Sequence, residues 1–111
     1  MMNSPVSKTL LFETLCKDDI YCTNLFCCLP STYLSNHFNT SRYQVLKAVK
    51  ELKKEGLVTS ICHNVYDWYS ERYLLVRGFT VTDKARSTEI YKKIDEDYMN
   101  YLASMCNGGI E

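Results

Sequence analysis

Apolar and polar positions along this chain follow two different periods, and the change from one to the other divides it into elements. Between residues 41 and 55, Val45, Ala48, Val49 and Leu52 fall at i, i+3, i+4 and i+7, which is one face of an α-helix. Ser41 with Gln44 three residues on forms a capping-box pattern. Gly56 stands where a left-handed residue ends a helix, and Leu57 beyond it is placed to pack back on Leu52. Both ends of this helix are therefore written locally. Just upstream, Pro30-Ser31 opens a short helix that ends near Phe38, with Leu34 and Phe38 inward and Asn39-Thr40 as the turn. Ser4-Pro5 suits the start of a first helix, serine as cap and proline at the first helical position. Its apolar spacing sends Val6, Leu10, Leu11 and Leu15 toward a core, ends it at about Cys16, and leaves Lys17-Asp18-Asp19 as the break. Residues 20–29 are apolar and cysteine-rich with mixed periodicity, compatible with a short strand or with a short helix after Cys22.

After Gly56 the pattern becomes β-branched and aromatic. Residues 57–65 and 73–82 read as two strands of an antiparallel hairpin, joined by a long tip, residues 66–72, that carries Tyr66, Trp68 and Tyr69. Thr82 then caps a last helix, and Asp83 suits its positive end. Over residues 84–105 the apolar set Ile90, Tyr91, Ile94, Tyr98, Tyr101, Leu102 and Met105 makes a stripe about 120° wide. Such a helix is about 33 Å long against a body about 26 Å across, so part of it overhangs. A second copy is the simplest cover for the overhanging Tyr98, Tyr101, Leu102 and Met105; folding back onto the first helix is the alternative.

The remaining face of the 41–55 helix carries the chemistry. On a wheel of about 100° per residue, Tyr43, Lys47, Lys50 and Lys54 gather within roughly 30° of the direction opposite the apolar stripe, and Arg42, Leu46 and Lys53 form one flank. A helix with one face in the core and a basic face beside an aromatic near its start is what a DNA major groove admits. An ordinary solvated face is the alternative, since a pair such as Lys47 with Glu51 contributes only a few tenths of a kcal/mol.

Composition bounds these readings. The chain has 111 residues, enough for one domain, and balances 13 basic against 13 acidic residues, which is unlike a generic polyanion binder. The distribution is uneven: residues 39–60 carry a local charge of +3 and residues 83–111 one of −2. Positive charge is thus concentrated on the candidate recognition helix. Residues 1–5 lack a basic start leading into an apolar run, and no apolar run approaches the length of a membrane span, so the protein is expected in the cytoplasm without a membrane partner. The six cysteines (Cys16, Cys22, Cys27, Cys28, Cys62 and Cys106) match no standard zinc spacing. They read as small apolar core residues, with a thiol or metal switch at Cys27-Cys28 as the alternative. No nucleophile, base and orienting group stand in a recognisable set, no glycine-rich phosphate loop appears, and Asp95-Glu96-Asp97 is a solvated run, so no enzyme and no cofactor are expected.

The order helix, helix, turn, helix, two-stranded wing and long helix is that of a winged helix-turn-helix. The chain resembles bacterial and phage transcription regulators of the MarR and PadR type. The resemblance rests on Leu34, Phe38, Ser41, Arg42, Val45, Ala48, Val49, Leu52, Gly56, Leu57 and Val58 at that spacing, and on the segment Gly78-Phe79-Thr80-Val81-Thr82-Asp83-Lys84-Ala85 leaving the wing. It departs at Ala85, where those families usually have glycine, at Leu46, where they often have a small or polar residue, and in the cysteine-rich segment. The resemblance implies an α+β, mainly helical fold, with a winged helix-turn-helix over residues 1–82, a dimerisation helix over 83–106 and a tail over 107–111. It implies base-edge or phosphate contacts from Ser41, Arg42, Tyr43, Gln44 and Lys47, with Lys50, Lys53 and Lys54 nearer the DNA backbone; Arg72 at the wing tip is the further candidate. The partners so implied are double-stranded DNA and a second copy, while no effector is specified. An assembly module whose basic helix never meets DNA is the rival reading, together with a thiol- or metal-responsive regulator.

Overall fold

The first helix starts later and runs further than its apolar spacing predicts. In the computed structural model, which describes residues 5–21 and 28–108, α1 is Lys8–Tyr21. Ser7 caps it: Leu10 N–H donates to Ser7 Oγ at 3.3 Å and Leu11 N–H to Ser7 O at 3.0 Å. The helix continues through Lys17-Asp18-Asp19 because Asp19 is held from outside. Arg86 donates to both of its carboxylate oxygens at 3.2 Å and Tyr91 OH donates at 2.7 Å, so a carboxylate at the negative end of a helix is neutralised. The buried stripe is Leu11, Phe12, Leu15 and Cys16; Leu10, expected inside, is 52% exposed.

The two elements that follow match the pattern closely. α2 is Ser31–His37 and α3 is Arg42–Lys54. The turn between them bends through Asn39 at φ 50°, and Asn39 N–H and Thr40 N–H return to Asn36 O and Ser35 O. Ser41 Oγ accepts from Gln44 N–H at 3.3 Å, as the capping pattern requires. At the other end Gly56 has φ 75°, Leu57 N–H donates to Leu52 O at 3.0 Å and Gly56 N–H to Lys53 O at 3.0 Å, the paired bonds of a Schellman end. Leu11, Leu15, Leu34, Val45, Val49 and Leu52 are completely or almost completely buried, and Val58, Val81 and Ala85 close the same core.

The hairpin is longer than predicted and its tip shorter. β1, Val58–Asp67, pairs antiparallel with β2, Arg72–Val81, in a register running from Val58↔Val81 to Asp67↔Arg72. Tyr66 and Asp67 therefore belong to the ladder, leaving a four-residue turn, residues 68–71, with Glu71 at φ 55°. Asp67 organises that turn by accepting from Ser70 Oγ at 2.7 Å and from Tyr69 N–H at 3.3 Å. The Ser70 bond leads in holding its carboxyl below the ordinary range. At the base of the wing Leu29 exchanges backbone bonds with Phe79, Leu29 N–H to Phe79 O at 3.1 Å and Phe79 N–H to Leu29 O at 2.9 Å. Ile20 and Tyr21 of the ambiguous segment belong to the last turn of α1, while residues 22–27, with Cys22 and Cys27, lie outside the described residues, as do Ser4 and Gly109.

The long last helix is broken. α4, Asp83–Arg86, ends at Ser87-Thr88, and α5, Glu89–Gly108, starts afresh. Two hydroxyls make the break: Ser87 Oγ donates to Lys84 O and Thr88 Oγ1 to Ala85 O, and Thr88 Oγ1 then accepts from Tyr91 N–H at 3.3 Å. Thr82 begins α4 as predicted, accepting from Ala85 N–H and donating to Gly56 O at 2.6 Å, which ties the wing exit to the end of α3. The molecule is thus a winged helix: a helix-turn-helix, a two-stranded wing and a long C-terminal helix around one core. Of the described cysteines Cys16 and Cys28 are buried as expected, whereas Cys62 and Cys106 are exposed free thiols.

Candidate nucleic-acid interface

α3 turns its predicted face outward. Tyr43 is 70% exposed, and Lys47, Lys50 and Lys54 are exposed along the next three turns. The ion pairs among the described residues are Lys8–Glu55, Arg86–Asp19, Arg86–Asp83 and Lys93–Asp97. None uses an α3 lysine. Glu55, by contrast, is occupied by Lys8 at 2.7 Å, and that bond leads in holding the Lys8 ammonium above its ordinary range. The outer face of α3 therefore keeps three positive charges against the single carboxylate of Glu51.

Other predicted contact residues point elsewhere. Ser41 is half-buried as the cap, and Gln44 is half-buried beside Pro5 and Val6. Arg42 lies across the start of α2, its Nε donating to Ser31 Oγ at 2.8 Å. Lys53 reaches toward the wing, where Nζ donates to Ser60 Oγ and stands 5.2 Å from the centroid of the Phe79 ring. Arg72 is at the far end of the wing, opposite Asp67. Trp68 and Tyr69 beside it are 81% and 100% exposed, while Tyr66 packs edge-on against Trp68 and Tyr73.

Between the helix-turn-helix and the base of the wing runs a groove of about 370 Å³, walled by Ser31, Thr32, Arg42 and Leu46 on one side and by Ser60, Cys62, Arg77 and Phe79 on the other. Arg77 is absent from the sequence-predicted set. Strand alternation was the signal for it: Arg77 and Phe79 share one face of β2, and Phe79 packs on the core beside α3.

No family model matches the chain, and no curated protein does. Among solved structures it is similar to a cysteine-to-serine mutant of ZitR from Lactococcus lactis, with 18% identity and a TM-score of 0.45, over 98% of this chain and 65% of that one.

At the opposite end, the predicted dimerisation residues fall into two groups. Ile90, Tyr91 and Ile94 are half-buried against the chain's own core. Tyr98 packs on Tyr21 with ring centroids 4.7 Å apart, and Tyr101, Leu102 and Met105 are exposed beyond it. The junction that sets the direction of α5 is Asp19 with Arg86 and Tyr91. Burial pushes the Asp19 carboxyl up, but the bonds from Arg86 and Tyr91 and the guanidinium charge outweigh it and leave the group below its usual range. Burial, reinforced by the neighbouring carboxylate, pushes the Tyr91 hydroxyl up to about 12. No helix among the described residues is long and apolar enough to cross a membrane, and no three metal-ligating side chains converge among them.

Proposed function

We propose that this protein is a sequence-specific regulator of transcription that binds double-stranded DNA as a homodimer. The observation that carries the reading is the row Lys47, Lys50 and Lys54 on α3, exposed and without ion pairs among the described residues, beside an exposed Tyr43. A merely solvated helix face tends to pair its charges at i, i+4; this one leaves them for phosphates. With α3 in a major groove, Tyr43, Leu46 and Lys47 meet base edges and thymine methyls, while Lys50, Lys53 and Lys54 supply the salt-dependent share of affinity. In this reading residues 1–82 bind DNA and residues 83–106 join two copies through Tyr98, Tyr101, Leu102 and Met105, with half-sites about one helical turn apart.

A selection from random duplex oligonucleotides with the purified protein tests it. A palindromic motif retained at moderate salt is the expected result. Recovery of no motif, with retention lost as salt rises, refutes sequence-specific binding. A second reading, a protein-assembly module, is favoured by the wing tip, where exposed Trp68 and Tyr69 stand among Asp67, Glu71 and Arg72. Two carboxylates against one arginine suit a protein surface better than a phosphate-lined minor groove.

A further inference from the structure

The groove between the helix-turn-helix and the wing holds two guanidinium groups, Arg42 and Arg77, and no carboxylate among its lining residues. Neither arginine has an ion pair among the described residues, and Arg42 donates to the neutral Ser31 hydroxyl. This contrasts with Arg86, whose charge is spent on Asp19 and Asp83. Two uncompensated cations facing one groove repel each other until an anion lies between them. Ser31, Thr32 and Ser60 add hydroxyl donors along the walls, and Pro30, Leu46, Ile61 and Phe79 make the rest of the lining apolar. Forked guanidinium donors suit phosphate oxygens, and an apolar lining suits the sugar between two phosphates better than it suits a free, fully hydrated ion.

We infer that this groove is a phosphodiester-binding subsite in which Arg42 and Arg77 grip one strand of the DNA backbone beside the recognition helix. The inference rests on the DNA-binding reading of α3 and extends it to a residue on the wing. Register supports the choice of Arg77: it lies on the same face of β2 as Phe79 and Val81, which turn to the core, whereas Arg72, at odd separation, lies on the opposite face of the ribbon. A second consequence concerns Cys62. It pairs with Arg77 across the hairpin, lines the same groove and carries an exposed free thiol, so a bound backbone strand covers it.

Two readouts on the whole chain test the subsite. In the first, binding to a mixed-sequence duplex is followed by anisotropy from about 50 to 200 mM salt. Arg77→Gln is expected to weaken binding about three- to tenfold for all sequences alike and to lower the log–log salt slope by about 1, whereas Arg77→Lys retains the slope. Lys93→Gln, which removes the same charge from α5, leaves both unchanged. In the second, Cys62 and Cys106 are alkylated with a neutral reagent and their rates read by peptide mass mapping. Saturating duplex slows Cys62 and leaves Cys106 at its free rate. Duplex binding that persists with an unaltered slope in Arg77→Gln, or with Cys62 reacting at its free rate, overturns the subsite while leaving DNA binding by α3 intact. Failure of the wild-type chain to retain any duplex overturns both together.

Discussion

Gly78→Ala is the sharpest test of how the wing is anchored, because the site lacks space while having ordinary backbone. A Cβ built at Gly78 meets Leu29 C and Leu29 O at 2.8 Å and Cys28 Sγ at 2.9 Å, and two of these three contacts are backbone atoms that no rotamer change relieves. In open space the substitution would stabilise by about 0.4–1 kcal/mol through the unfolded chain. Here it must push Leu29 off β2, costing the two Leu29–Phe79 backbone bonds at about 1 kcal/mol each and an overpacking strain of about 1–3 kcal/mol. The net expected loss is about 2–5 kcal/mol. Urea unfolding followed by far-UV circular dichroism at fixed protein concentration measures it. Adding Cys28→Ala relieves only one of the three contacts and does not restore stability. Gly56→Ala is the complementary case: its Cβ meets only the flexible Lys84 side chain at 3.4 Å, but φ of +75° imposes a left-handed cost of about 1–2 kcal/mol. If Gly78→Ala unfolds within about 0.5 kcal/mol of the wild type, the pairing of Leu29 with the wing is wrong.

The α1–α4–α5 junction makes stability pH-dependent on both sides of neutrality. A Tyr91 hydroxyl raised to about 12, against about 10 when unfolded, contributes stability that is complete below pH 10 and lost as pH climbs toward 12. Asp19, with its carboxyl depressed in the folded state, contributes stability above about pH 4 that is lost as pH falls further. Tyr91→Phe should therefore cost about 1 kcal/mol at neutral pH through the lost bond to Asp19 and flatten the alkaline limb above pH 10. The earlier part of that limb remains, because burial pushes the Cys16 thiol up to about 12 and its contribution starts to fall near pH 8.5. An unfolding midpoint with the same alkaline slope in Tyr91→Phe would refute the assignment. For the dimer, Leu102→Asp places a carboxylate in the Tyr98, Tyr101 and Met105 stripe and should raise the dissociation constant at least about 100-fold. Sedimentation velocity reads the outcome, and identical coefficients for variant and wild type would remove α5 from the interface.

What sequence alone could show about this fold depended on how local each signal is. α3 was legible residue by residue because its stripe, its Ser41 cap and its Gly56 end are all set within the element or one turn beyond it. α1 was misplaced because its continuation past Asp19 depends on Arg86 and Tyr91, some 70 positions away, which reverse the local preference of two adjacent carboxylates. The break at Ser87-Thr88 has the same character in miniature. The apolar stripe runs straight through it, and only the competition of two hydroxyls for α4's carbonyls divides the helix.

The same distinction separates the two halves of the candidate interface. Tyr43, Lys47 and Lys50 could be placed outside from the wheel, since an α-helix carries its own frame of reference. A strand residue has no such frame: alternation says that Arg77 shares a face with Phe79, but not which face meets α3 until the pairing is known. That information is supplied by Leu29, which pairs with Phe79 along β2, and by Gly78, whose missing side chain lets the two backbones approach. Arg77 therefore reaches the groove through a contact between residues 50 apart. The lysine face and the Arg42–Arg77 groove consequently depend on different parts of the fold. A perturbation at Gly78 should loosen phosphate contact through Arg77 while leaving the order of base preferences along α3 unchanged.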